Sequence, residues 1–212
     1  WQKHRTVAAY YGSGPGTGLH KSTDGGETWK ELKKGLPTEE MGKIGLAISP
    51  INPDVGYAAI ETNRRTGAVY RSADRGESWV KGADAVGGGT GPHYYQELWV
   101  SPHYFDHIYL AGPMVQESKD GGKTFTNLSS TDKHVDNHAM EFIADDPNYM
   151  MMGSDGGLYE SFDNGQNWRY HSNLPVTQYY KIALDDDTPF YNVYGGTQDN
   201  STQGGPIRTD RA

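Results

Sequence analysis

The sequence predicts an all-β fold built from repeated antiparallel sheets, and three observations lead there. First, 28 glycines and 11 prolines punctuate the 212 residues too often for long helices. Second, only 34% of residues are apolar but 12% are aromatic, including 15 tyrosines and 5 tryptophans. A disordered chain is poor in aromatics, so these rings are expected to pack. Third, four segments share the pattern Ser-x-Asp-x-Gly-x-(Thr/Ser/Asn)-aromatic. They carry Ser22, Asp24, Gly26 and Trp29; Ser72, Asp74, Gly76 and Trp79; Ser118, Asp120, Gly122 and Phe125; and Ser161, Asp163, Gly165 and Trp168. The serines lie 50, 46 and 43 residues apart, a period that suits the four-stranded blade of a β-propeller.

Each match reads as a tight hairpin. The aspartate carboxylate accepts backbone N–H bonds inside the turn, the glycine supplies a positive φ, and the hydroxyl or amide residue adds a local bond. The aromatic is expected to anchor the turn by packing under the blade. With blade strands lettered A to D outward, alternation and turn residues place the strands in order. Residues 6–11, 19–22 and 29–32 are B, C and D of a first blade that has no strand A. Residues 45–49, 55–60 and 68–72 follow as A, B and C of a second, with D opening at Trp79. Residues 96–100, 107–110 and 115–118 belong to a third, and 139–143, 149–153, 158–161 and 167–171 to a fourth. Residues 180–184 and 191–195 begin another blade that stops before a further hairpin of this type. The blades accordingly divide as 1–40, 41–85, 90–130, 134–175 and 176–212. An arc of a larger propeller, of about seven to ten blades or of a tandem pair, is expected. The alternative is a closed four-bladed ring in which 180–184 completes the first blade, leaving residues after about 186 unused.

Composition narrows the function. A net charge of −8 argues against nucleic-acid or anionic-membrane partners, which require a basic patch. The absence of cysteine excludes disulfides, thiolate metal sites and a cysteine nucleophile. No apolar run approaches the roughly 20 residues that span a bilayer, so no direct membrane insertion is expected. The start, Trp1-Gln2-Lys3-His4, has no secretion-signal pattern and is expected to have lost its natural beginning.

Successive antiparallel strands sort the loops onto two faces. The aspartate hairpins share one face with the A–B turns and are expected to be structural. The opposite face gathers the D–A and B–C loops, where the unusual residues lie. His93, Tyr94 and Tyr95, and Gln178, Tyr179 and Tyr180, offer rings and amides to a ligand or to the core. His134, Asp136 and His138 alternate, so an extended segment would point all three one way, as a zinc or other divalent-metal site needs. The competing reading is a hydrogen-bonded cluster tying that loop to Ser154–Gly157. No cofactor is otherwise expected. Asp155, beside Gly156-Gly157, is the leading carboxylate, with Asp136 or Asp199 as the second acid that a glycosidase needs roughly 5 to 10 Å away. Gln198 and Asn200 complete the ligand-facing set.

The repeat is the Asp-box, or bacterial neuraminidase repeat. Residues 18–29, 134–139, 153–159 and 194–200 resemble segments of large bacterial secreted proteins of the sortilin-type, "glycosyl hydrolase BNR repeat" kind. The resemblance implies a secreted, periplasmic or cell-surface propeller. Its partners would be the remainder of its own propeller or other protein subunits, with a glycan or peptide as ligand. Because every strong repeat is structural and no complete catalytic set is visible, a non-catalytic recognition or assembly module is expected, with an Asp-pair glycoside hydrolase as the alternative. In outline the aspartates also resemble those of two-propeller xyloglucanases, whose pair faces across a cleft between propellers. The Arg-Ile-Pro signature and arginine triad of sialidases are not found here. Arg64, Arg65, Arg71, Arg75 and Arg169 form no convincing set.

Overall fold

The computed structural model describes residues 13–63, 66–85, 95–174, 177–198 and 201–208. These form strands and turns only, in five antiparallel sheets. The predicted strand at 6–11 lies outside the described residues. The first sheet pairs β1 (Leu19–Lys21) with β2 (Lys30–Leu32). The second runs β3 (Ile44–Ile48), β4 (Gly56–Asn63), β5 (Thr66–Ser72) and β6 (Val80–Lys81) in chain order. The third runs β7 (Leu98–Val100), β8 (Ile108–Leu110), β9 (Gln116–Ser118) and β10 (Thr126–Asn127). The fourth runs β11 (Asn137–Phe142), β12 (Met150–Ser154), β13 (Gly157–Ser161) and β14 (Arg169–Tyr170). The fifth holds β15 (Tyr179–Leu184), β16 (Asn192–Thr197) and β17 (Thr202–Pro206). The last of these strands was not expected from the sequence. Its glycine-rich Thr202-Gln203-Gly204-Gly205-Pro206 carries no apolar alternation to mark it. Residues 179–184 pair with β16, as the start of a further blade.

Apolar packing runs between the first four sheets, one core per gap. Ala58 and Ile60 of β4 and Ala68 and Tyr70 of β5 face Leu19 and Leu32 of the first sheet. On their other side, Tyr57, Ala59 and Val69 meet Leu98, Val100, Ile108 and Leu110 of the third. Tyr109 of β8 in turn joins Met140, Met150, Met152 and Tyr159 of the fourth. Middle strands buried on both faces alternate between two cores, and this is what stacks blades face to face. The fifth sheet joins none of these cores. Tyr180, Ile182 and Leu184 of β15 stand exposed, as do Leu46 and Ile48, which alternate with Ile44 on the face of β3 turned toward the first sheet.

The four Asp-boxes share one geometry. The serine Oγ donates to the aspartate Oδ1 at 2.7 to 2.8 Å and accepts the glycine N–H at 2.8 Å. Oδ1 also accepts the N–H four residues after the aspartate, and Oδ2 binds that residue's hydroxyl or amide. Two consecutive residues are left-handed, not the glycine alone: Gly25-Gly26, Arg75-Gly76, Gly121-Gly122 and Asn164-Gly165. In three boxes the first of these docks on the A–B turn, its N–H donating to the carbonyl of Asp54, Asp106 or Asn148. The aromatic packs against the preceding sheet, so Trp79 and Trp168 are 8% and 7% exposed. Trp29, of the first sheet, is 63% exposed, against the expectation that every box aromatic is buried. Charged pairs add ties across the same face. Lys21 Nζ reaches Glu77 at 2.7 Å, and Arg71 Nε reaches Asp106 at 2.9 Å, where the Tyr57 hydroxyl also donates.

These bonds hold Asp24, Asp74 and Asp120 at a pKa of about 2, chiefly through the hydroxyl four residues on. For Asp163, also at about 2, the backbone N–H of Asn167 contributes most. A carboxyl lowered on folding contributes stability that is complete above its unfolded value of about 4 and is lost toward pH 2. Acid titration followed by far-ultraviolet circular dichroism should therefore show a flat stability plateau above pH 4 and steep loss between 4 and 2. Replacing all four aspartates by asparagine should flatten that loss.

Blade contact also depends on bare backbone. A Cβ at Gly45 would sit 1.8 Å from the carbonyl oxygen of Gln96 in the next sheet, whereas one at Gly25 would meet nothing within 4 Å. Gly45→Ala should cost about 3 kcal/mol or more through backbone displacement, and Gly25→Ala about 1 kcal/mol for its left-handed φ. Thermal unfolding of the two variants side by side measures the difference.

Candidate functional site

On the face opposite the Asp-boxes, an open cleft of about 1090 Å³ separates the fourth and fifth sheets. One wall is Gly153–Leu158 with Tyr170 and His171; the other is Thr177, Gln178, Tyr179, Gln198 and Gln203. Asp155 is the one carboxylate among these described lining residues. It sits in the β12–β13 turn with its side chain 18% exposed, its N–H donating to the carbonyl of Asp136 at 3.1 Å. The fifth sheet repeats that tie, the Gln198 N–H donating to the carbonyl of Gln178 at 3.0 Å. Asp155 faces His138 Nε2 at 3.3 Å and the Gln198 side-chain amide at 3.5 Å, so its two oxygens engage both walls.

The loop that supplies His138 is not extended, and this corrects the expected alternation of His134, Asp136 and His138. Asp136 is left-handed at φ 61°, which turns the three side chains apart. His134 Nδ1 lies 2.7 Å from the carbonyl of Val135, and its Cβ packs so closely on Gly156 that a methyl there would sit 2.3 Å away. Asp136 accepts the Tyr95 hydroxyl, and His138 stacks on the Tyr95 ring at 5.1 Å and 8°. No group of three metal-ligating side chains converges among the described residues. The hydrogen-bonded tie between this loop and Ser154–Gly157 is what the geometry displays instead.

Two further residues lock the loop. Buried Asn137 donates to the carbonyls of Gly112 and Pro113 in the loop between β8 and β9. Lys133 donates to Asn137 Oδ1 and lies over the rings of Tyr159 and Trp168; burial lowers its amine to a pKa of about 8.

The other expected residues divide. Gln178, Tyr179 and Gln198 line the cleft, while Tyr95 is buried beneath it and Tyr180 is exposed away from it. His93, Tyr94, Asp199 and Asn200, with Arg64 and Arg65, lie outside the described residues. Arg71, Arg75 and Arg169 pair with Asp106, Asp54 and Glu160 and do not converge. Sequence reasoning missed Tyr170, His171 and Gln203. The usable signal for the first was an aromatic two residues beyond the box tryptophan, where the other blades place charged or polar residues: Glu31, Lys81 and Asn127.

The BNR/Asp-box repeat family matches residues 20–31. The chain is 27% identical over 173 residues to a sialidase of Bacteroides fragilis, covering 73% of this chain and 28% of that protein. It is 26% identical over 189 residues to an oligoxyloglucan-reducing end-specific xyloglucanase of Emericella nidulans, covering 74% of this chain and 23% of that one. Among solved structures, an ancestral GH74 enzyme superposes over 92% of this chain and 29% of its own, with a TM-score of 0.52 at 16% identity. The Niastella koreensis GH74 enzyme gives 0.51 at 16% identity, over 77% of this chain and 28% of its own. The chain thus spans less than a third of the length of these relatives. Fold and repeat together define an Asp-box β-propeller, of which these sheets form an arc.

Tyr95 joins the third sheet to the loop bearing His138. Tyr95→Phe should cost about 1 to 2 kcal/mol by leaving Asp136 without its donor, and Tyr95→Ala about 3 to 5 kcal/mol by also removing the ring. Urea unfolding distinguishes the two.

Proposed function

We propose that this arc is the carbohydrate-binding part of a larger propeller acting outside the cytoplasm, with the cleft beside Asp155 as its binding recess. The observation carrying this reading is the set of hydrogen-bonding side chains in a lining that also includes Leu158 and Leu174. One partly buried carboxylate, three glutamine side chains, a histidine and two tyrosines surround an open cleft on the face free of Asp-boxes. Carboxylate and amide groups hydrogen-bond sugar hydroxyls in both directions, and a cleft of this volume accommodates several sugar rings. The names of the sialidase and xyloglucanase relatives agree with a glycan as ligand. The remaining blades of the propeller would cover the apolar faces around Leu46 and Ile182.

Hydrolysis is the second reading, favoured by the placement of Asp155 at the cleft. An acid–base pair requires a second carboxylate, and no other lines the cleft among the described residues. Asp199, next to Gln198 in the sequence, is the position that would supply it. Asp155→Asn should lower affinity for the bound glycan about tenfold, as a lost charged hydrogen bond does. Calorimetry against a panel of plant and bacterial oligosaccharides, with a reducing-sugar assay alongside, checks this. Turnover by the parent that disappears in the variant would favour the hydrolase. Binding untouched by the substitution would overturn the recess.

A further inference from the structure

The two walls of the cleft each present a tyrosine seated on a glycine. Tyr170 of β14 lies against Gly157, where a Cβ would come within 2.9 Å of its ring. Tyr179 of β15 lies against Gly195, where a Cβ would come within 2.3 Å. Neither glycine could carry a side chain with the rings in place. The rings are also held from behind. Tyr170 packs on Tyr159 with centroids 5.2 Å apart, and the Tyr179 hydroxyl donates to Gln203 Oε1 at 2.6 Å. Yet they remain 50% and 45% exposed and line the same cleft. Two immobilised, half-exposed rings on facing sheets meet a ligand with little further loss of freedom.

A second feature concerns charge. Among the described residues, neither lysine nor arginine lines this cleft, and its one acid is Asp155. Arg169, adjacent in sequence to Tyr170, is turned away into its pair with Glu160.

We propose that Tyr170 and Tyr179 are stacking platforms that select neutral pyranosides with equatorial hydroxyls and reject acidic sugars. An all-equatorial ring presents a flat C–H face that fits an aromatic ring, and an axial hydroxyl interrupts that face. A sugar carboxylate would meet Asp155 with neither lysine nor arginine in the described lining to compensate, so like-charge repulsion disfavours it. This preference rests on the carbohydrate reading above and adds to it which sugars enter and which side chains choose them.

Calorimetry on the intact protein tests the proposal with three probes of equal length: cellohexaose, mannohexaose and a glucuronic-acid hexamer. Cellohexaose should bind most tightly. Mannohexaose should be weaker by about fivefold, and the acidic hexamer should show no binding at neutral pH. Tyr170→Ala and Tyr179→Ala should each weaken cellohexaose by about tenfold, and Tyr179→Phe, which keeps the ring, much less. Both tyrosines are half-exposed, and an unchanged melting temperature verifies that the variants remain folded. Equal affinity for the acidic hexamer overturns the proposal. So does cellohexaose binding that both alanine variants retain while Asp155→Asn loses it, and that result leaves the carbohydrate reading standing. Failure of all three probes together with the wider oligosaccharide panel overturns both.

Discussion

The first four sheets of this structure lean on the serine–aspartate contact of the Asp-box. A short hairpin with two successive left-handed residues leaves backbone N–H groups pointing inward and unpaired. The serine oxygen takes one of these N–H groups, the aspartate takes the next, and the two side chains bond each other. Closing the C–D turn in this way leaves the carboxylates no role as acids near neutral pH. It also aims the following aromatic at the neighbouring sheet. Turn closure and blade stacking thereby become one interaction where a sheet precedes the box, as at Trp79 and Trp168, while the exposed Trp29 box closes its turn alone.

Such an arrangement concentrates cohesion on one face and frees the other. At the Asp-box face, turns are tied within blades by the Asp54, Asp106 and Asn148 carbonyls and between blades by Lys21–Glu77 and Arg71–Asp106. At the opposite face, backbone bonds tie loops within a blade, among them Asp155 to Asp136 and Gln198 to Gln178. The fourth and fifth sheets share no apolar core among the described residues, so the gap between them stays open where those loops end. The cleft is the consequence of sheets that touch through polar loops alone.

Sequence reading recovered the blades because a box must contain particular atoms at particular spacings. A hydroxyl, a carboxylate, left-handed residues and an aromatic are all visible as letters. Strand positions follow from alternation, turn residues and box spacing to within a few residues, β17 excepted, since Thr202-Gln203-Gly204-Gly205-Pro206 has no apolar alternation to mark it. The candidate site was less legible. Asp155, Gln178, Tyr179 and Gln198 share the cleft because they occupy the loop-bearing face, which the strand order makes legible. The alternation expected of His134, Asp136 and His138 fails because a single left-handed aspartate breaks the period of two. Tyr95 looked like a ligand-facing ring, yet it serves as the prop beneath His138, and no local pattern separates those roles.

What the sequence determined by itself was therefore everything that short-range chemistry specifies: the repeated hairpin, the blade period, the division into a structural and a loop-bearing face, and the exclusion of cysteine chemistry. Only the tertiary structure decided which residues share a cleft. Tyr170 and Gln203 come from different sheets and are 33 residues apart along the chain, and their meeting depends on how one blade is set against the next. Between the fourth and fifth sheets the side-chain contact of Gln198 with Asp155 bridges the gap, and between the second and third the backbones of Gly45 and Gln96 approach closely; no local sequence pattern announces either.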